Sequence, residues 1–286
     1  MARREALFYS NDERGKVRCE LCPHFCEIAG GQKGRCGARA NIGGFLYAKS
    51  FARVRSAMLD PIEKKPLKFF RPGGFVLSVG TFGCNMDCPF CQNHETVRLC
   101  PDAECPQLLP DELAKLAKRY ASMGNIGVAY TYNEPLVGYE YVCECAKLVH
   151  GIGLSNVLVT NGFINKEPLE QLLPYIDAMN IDLKGFQRDF YCKLGGSLDT
   201  VKESIALARS SCHVEVTMLV VPGENDCDAE AAAAWLAEID RDMPLHITRF
   251  FPRHKYAGKT PTPIETLQNA ASAAKKYLTN VVIGNV

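Results

Sequence analysis

Three cysteines, Cys84, Cys88 and Cys91, fall within eight residues of one short loop, Gly80-Thr-Phe-Gly-Cys84-Asn-Met-Asp-Cys88-Pro-Phe90-Cys91-Gln-Asn. Thiolates are soft ligands suited to iron–sulfur chemistry. In so tight a loop, with an aromatic residue before the last cysteine, they can reach three irons of one cubane. No fourth cysteine follows in phase, so one iron is left for an exogenous ligand. The competing readings are three buried thiols or a zinc site, and a structural zinc normally takes four protein ligands.

A second group, Cys19-x2-Cys22-x3-Cys26-x9-Cys36, supplies four thiolates, enough to close a site. A structural zinc and an auxiliary iron–sulfur cluster both fit that count. Only one C-x2-C hook is present, so spacing does not decide between them. The remaining cysteines (Cys100, Cys105, Cys143, Cys145, Cys192, Cys212, Cys227) show no metal spacing and read mostly as buried thiols.

Fourteen cysteines in 286 residues imply either disulfides in an oxidising compartment or metal ligands in a reducing one. The start of the chain has charged residues with no hydrophobic stretch behind them, and no apolar run is long enough to cross a bilayer. The expected location is therefore cytoplasmic, and the uneven placement of the cysteines favours metal or cluster binding. A net charge of +1 exerts no global pull toward nucleic acid or membrane, and neither is expected as a partner.

These ligands need a scaffold. Residues 1–74 read as an irregular Cys- and Gly-rich segment closed by turn-like stretches at 60–66 and 71–74. From Phe75 to the end, strand-like and helix-like stretches alternate. Strands are expected at 75–79, 126–130, 155–160, 178–183, 213–221, 245–250 and 281–283. Helices are expected at 110–123, 137–150, 167–173, 200–211, 228–239 and 264–277. Alternation at this spacing implies right-handed βαβ units and a parallel sheet. With six or seven units the fold class is α/β, an open partial (β/α)6 barrel over 75–286 with a Cys-rich amino-terminal extension. Ligands in such sheets sit at the carboxyl ends of the strands.

Polar motifs fall at those ends. Asn133-Glu134-Pro135 follows the second strand, where a carboxylate can accept a charge-assisted hydrogen bond. Thr160-Asn161-Gly162 ends the third. Asp182-Leu183-Lys184 ends the fourth, with both charged heads on one face. The bland alternatives are a surface glutamate, a common Asn-Gly turn and a structural ion pair at the rim.

The C-x3-C-x-aromatic-C loop resembles that of the radical S-adenosylmethionine (SAM) superfamily. More closely, the chain is similar to the activating-enzyme-like branch, relatives of pyruvate formate-lyase activating enzyme, and within it to the AmmeMemoRadiSam-system radical SAM enzymes. The likeness rests on Cys19-Glu-Leu-Cys-Pro-His-Phe-Cys26, Asp60-Pro-Ile-Glu-Lys-Lys-Pro66, Tyr130-Thr-Tyr-Asn-Glu-Pro135, Val159-Thr-Asn-Gly-Phe163, Asn180-Ile-Asp-Leu-Lys184 and Val220-Val-Pro-Gly223.

That resemblance implies a [4Fe–4S] cluster on Cys84, Cys88 and Cys91, with SAM chelating the free iron. Reductive cleavage of SAM gives a 5′-deoxyadenosyl radical that abstracts hydrogen from a substrate. It assigns Asn133, Glu134, Thr160, Asn161, Gly162, Asp182 and Lys184 to SAM. Tyr132-Asn133 stands where the superfamily usually has two glycines. Val159 replaces an acid that related activases link to a monovalent cation. Residues 220–226 resemble the adenine-side loop, and His246, Arg249, His254 and Lys255 are candidates for the substrate side. Implied partners are a reductant such as flavodoxin or ferredoxin, and a glycyl-radical protein or a Memo-like protein. The long amino-terminal segment argues against simple activation of pyruvate formate-lyase. A non-catalytic zinc or iron–sulfur scaffold is the alternative class, disfavoured because polar motifs end several strands.

Overall fold

The computed structural model describes residues 4–98 and 105–286. Cys100 lies outside the described residues. In the amino-terminal segment, β1 (Tyr9–Asn11), β2 (Val17–Cys19) and β3 (Glu27–Ile28) form a small antiparallel sheet. β4 (Arg39–Ile42) and β5 (Phe45–Ala48) form a hairpin turned by Gly43 and Gly44, both at positive φ, as a two-residue hairpin turn requires. These strands are too short to carry an alternating pattern, which is why the sequence reads as irregular here.

β6 (Ser56–Pro61) joins the main sheet, antiparallel to β7 (Phe75–Gly80). Asp60 and Pro61, which the sequence suggests are loop, close this strand. The chain continues through α1 (His94–Arg98), α2 (Pro110–Arg119), β8 (Asn125–Tyr130), α3 (Tyr139–Gly151), β9 (Ser155–Thr160), α4 (Lys166–Leu172) and β10 (Ala178–Asp182). It ends with α5 (Arg188–Lys193), α6 (Leu198–Arg209), β11 (His213–Val220), α7 (Ala229–Ile239), β12 (Leu245–Arg249), α8 (Ile264–Ala274) and β13 (Val281–Gly284). Strands β6 to β13 lie side by side in chain order, and β7 to β13 are all parallel. Six βα units precede β13, and the edge strands β6 and β13 do not pair with each other. This is the expected open partial barrel.

Local chemistry sets the element ends. Pro110 opens α2, where its missing N–H is no loss, and Glu112 accepts the Leu109 N–H at 2.7 Å. The Ser197 hydroxyl caps α6 by accepting the Thr200 N–H at 3.4 Å. Strands such as β7 and β9 are buried over almost their whole length, as strands covered on both faces must be. The barrel's amino-terminal end is plugged by Ile62 and Leu67, packed with Val76, Ala129, Val157 and Ala178. With that end closed, the carboxyl ends of the strands form the accessible rim.

Candidate functional site

The cysteine loop leaves β7 at Gly80 and crosses the rim. Among the described residues every cysteine is a free thiol, and no three Cys, His, Asp or Glu side chains are placed to hold a single metal ion. A cubane asks something different, since each thiolate binds its own iron. The thiols of Cys84, Cys88 and Cys91 lie within electrostatic reach of one another. Burial pushes all three above the usual thiol range, Cys88 to about 11, with Glu134 adding to the effect at Cys84. Ligation to a metal offsets that cost by replacing the proton. Two N–H groups already face the Cys84 sulfur: the Met86 backbone at 3.4 Å and Asn161 Nδ2 at 3.7 Å. Three thiols in one loop with N–H donors to sulfur fit a three-cysteine cubane, and Lys184 lies within electrostatic reach of Cys88 to offset its charge.

Glu134 follows β8 and is buried. Its Oε1 accepts the Thr160 hydroxyl at 2.7 Å and the Leu136 N–H at 3.1 Å, and its Oε2 accepts the Asn161 N–H at 2.7 Å. Burial raises its pKa to about 7 despite these three donors. Thr160 thus reaches the site through Glu134. Asn161 connects Glu134 to the cysteine loop, and its Nδ2 also donates to Asn85 Oδ1 at 3.0 Å.

Asn133 does a bracing job. Its Oδ1 accepts the Thr81 N–H at 2.9 Å, and its Nδ2 donates to Thr81 Oγ1 and the Gly83 carbonyl, each at 3.2 Å. Both ends of the amide are thereby committed to the turn that presents Cys84. Tyr132 adopts φ +73°, a left-handed conformation of the kind a glycine would adopt freely. Its ring runs along Gly80, and its hydroxyl donates to Asp60 Oδ2 at 2.6 Å. Asp60 is also bound by Lys64 at 2.8 Å and by the buried Lys65 at 2.7 Å. The 60–66 motif and the 130–135 motif are therefore one structure.

At the end of β10 the Lys184 ammonium pairs with Asp182 at 2.6 Å. Burial alone pulls its pKa down, but Asp182 and Cys88 outweigh burial and hold the ammonium charged. Gly162 follows Asn161 at φ +68°, its N–H donating to the Thr160 hydroxyl at 3.1 Å. Asn225 clamps the 220–226 loop to this rim, donating to the Lys184 carbonyl at 2.6 Å and accepting the Val221 N–H at 2.7 Å.

The loop after β12 covers the cysteine loop. The Tyr256 N–H donates to the Pro89 carbonyl at 3.2 Å, Lys255 pairs with Asp87 at 3.2 Å, and His254 stacks on His94 with ring centroids 4.5 Å apart. Arg249 donates to the Thr262 carbonyl at 2.8 Å. His246 is a correction to the expected substrate side. It is the second residue of β12, far below the rim, buried against Glu215 at 2.6 Å.

Asn85 is a hub that sequence reasoning missed. Its Nδ2 donates to the Phe163 carbonyl at 2.6 Å, its side chain reaches Cys22, and its own carbonyl meets His24 Nε2 at 2.7 Å. It links the cysteine loop, the third rim motif and the amino-terminal cysteines. The Cys84 N–H donates to the Cys36 carbonyl at 3.2 Å. A cavity of about 460 Å³ opens where the two segments meet, lined by Arg35, Cys36, Gly83, Cys84 and Asp87 among others.

Three comparisons bear on this arrangement. The model of the radical SAM superfamily matches residues 78–236. An uncharacterized protein of Methanocaldococcus jannaschii is 43% identical over 291 residues, covering 99% of this chain and 85% of that protein. The 4-hydroxyphenylacetate decarboxylase activating enzyme of Clostridium scatologenes is 27% identical over 175 residues, 58% of this chain and 54% of its own length. Among solved structures, Streptococcus suis SuiB bound to S-adenosylmethionine aligns with a TM-score of 0.53 at 14% identity. That alignment covers 70% of this chain and 47% of SuiB, a likeness of fold alone. Among the described residues no helix is long and apolar enough to cross a membrane.

Proposed function

The chain belongs to the radical SAM superfamily, and from that premise we propose that its rim binds SAM beside a cluster on Cys84, Cys88 and Cys91 and acts on a glycine Cα–H of a partner protein. The superfamily's [4Fe–4S] cluster and SAM, when bound, supply a 5′-deoxyadenosyl radical that abstracts hydrogen. The protein's own residues bind and orient. Glu134, fixed by Thr160 and by Asn161, would accept the ammonium of SAM with an oxygen that retains a free lone pair. Lys184, held charged next to Asp182, would pair with the carboxylate of SAM. Asn161 sets the sulfur environment of Cys84 and the position of Glu134 together.

The observation that carries this reading is the convergence of Cys84, Glu134 and Asn161 in one hydrogen-bonded unit, with Lys184 within reach of Cys88. The choice of a glycyl-radical protein as substrate is supported by a second Methanocaldococcus jannaschii relative, whose name makes it an activating enzyme of a glycyl-radical enzyme. It is 26% identical over 221 residues, 72% of this chain and 87% of its own length. A low-potential donor such as flavodoxin or ferredoxin would supply the electron, and the free thiols suit a reducing compartment such as the cytoplasm.

The test is anaerobic reconstitution followed by dithionite and SAM. We expect 5′-deoxyadenosine, lost when Cys84, Cys88 and Cys91 are changed to Ala. Incubation with a candidate glycyl-radical protein should give a carbon-radical signal by electron paramagnetic resonance. A reconstituted chain that forms 5′-deoxyadenosine but leaves every such candidate silent removes the partner assignment and leaves the SAM chemistry.

A further inference from the structure

Cys19, Cys22, Cys26 and Cys36 come from three places in the amino-terminal segment: the end of β2, the turn before β3 and the loop before β4. The fold nevertheless brings all four to the wall of one small cavity, of about 20 Å³, with His24, Arg39 and Asn85. The thiols also lie within electrostatic reach of one another. We infer that these four cysteines hold a second iron–sulfur cluster, and not a single zinc ion.

Size separates the two. Around zinc the sulfurs close to about 2.3 Å from the metal, which leaves no room between them for even a water-sized body. This cavity has such room, and among the described residues no three ligand side chains are placed to hold one ion. Four thiolates that each bind a separate iron stand further apart, and four is the number a closed cubane takes.

Charge marks the same wall as the place for an anionic metal–thiolate centre, and size is what tells cluster from zinc. Arg39 is 1% exposed, and its Nε and Nη1 have no hydrogen-bond partner. Its Nη2 is held by Glu140 at 2.9 Å and by the Leu7 carbonyl. A buried guanidinium with unfilled N–H groups is costly unless an anionic acceptor faces it. Cluster sulfides and thiolates are such acceptors, and Arg39 lines the wall they would occupy.

The four ligands of this site are separate from the three of the cysteine loop, so the two can be tested apart. The full chain carrying Cys84→Ala, Cys88→Ala and Cys91→Ala is reconstituted anaerobically with iron and sulfide in the presence of zinc, then assayed for all three. We expect about four irons and four sulfides per chain in the variant and about eight of each in the parent. The converse variant, Cys19→Ser with Cys36→Ser, should lose half the parent's iron, and Mössbauer spectra of the unaltered chain should integrate to two clusters. One zinc per chain without sulfide in the triple variant overturns the inference, as does a parent with only four irons, all lost on substituting the loop. Iron lost from the Cys19/Cys36 variant alone would instead count against the loop.

Discussion

The Glu134 carboxylate accepts the Asn161 backbone N–H at 2.7 Å, while the Asn161 side chain reaches the Cys84 sulfur at 3.7 Å. One residue therefore sets both the proposed ammonium acceptor and the sulfur environment of the proposed cluster. Glu134→Gln removes the charge and turns an N–H toward at least one donor. SAM binding should weaken about tenfold or more, the loss of one charge-assisted hydrogen bond, while iron content stays unchanged. Equilibrium dialysis of reconstituted protein measures this. An unaltered affinity would remove Glu134 from the ligand site.

Asn161→Ala takes an N–H away from the Cys84 sulfur. Hydrogen bonds to cluster sulfurs stabilise the more negative, reduced state, so their loss lowers the potential. A redox titration followed by electron paramagnetic resonance should show a more negative midpoint for the loop cluster. A midpoint at or above the parent value contradicts the contact.

Gly83 sits at φ +97°, where a Cβ would stand 2.8 Å from the Cys36 carbonyl and 2.8 Å from Ala38 Cβ. The loop and the amino-terminal segment touch backbone to backbone at this point. Gly83→Ala must separate them, and a cost on the order of 2–4 kcal/mol is expected together with lost iron. Gly43 has φ +65° and open space around its missing side chain, so Gly43→Ala carries only the conformational strain of about 1–2 kcal/mol and keeps its iron. Urea unfolding and iron assay of the two variants make the comparison. Equal behaviour would mean that the close approach at Gly83 has no energetic weight.

Much of the barrel is legible in the sequence because buried parallel strands read as apolar runs. Ser155–Thr160 is recovered at both ends, and β8, β11 and β12 to within a residue. β6 is not legible: it is an edge strand with exposed Ala57 and Met58, and it ends in a proline. The rim motifs are legible by position, but their partners are not. Nothing in Thr160 or Asn133 as residue types says that one buttresses Glu134 and the other braces the cysteine turn, since both contacts join strands far apart in sequence. His246 is within reach of the sequence, since the expected strand already begins at Leu245 and a second-position residue lies below the rim. Asn85 is hidden among cysteines, a polar residue in a loop like any other until the fold closes around it.

Glu215 supplies a pH signature distinct from the cluster. It is fully buried and accepts from the Lys68 N–H at 3.0 Å, the Phe69 N–H at 2.8 Å, His213 Nε2 at 2.9 Å and His246 Nε2 at 2.6 Å. Burial alone would raise its pKa, but these donors prevail and lower it from 4.5 to about 2. A carboxyl depressed in the folded state contributes its stability in full above pH 4.5, and that stability is lost as pH falls through about 2, with about 3 kcal/mol in play. Glu215→Gln should be less stable than the parent at neutral pH. The gap should narrow by about 2 kcal/mol on going from pH 5 to pH 3, below the range in which imidazoles such as the two that contact Glu215 ordinarily titrate, because only the parent has this carboxyl to protonate. Urea midpoints of both chains across that range test it, the difference cancelling whatever the two lose in common. A gap that stays constant would show that the carboxylate is not held ionised by the segment it anchors.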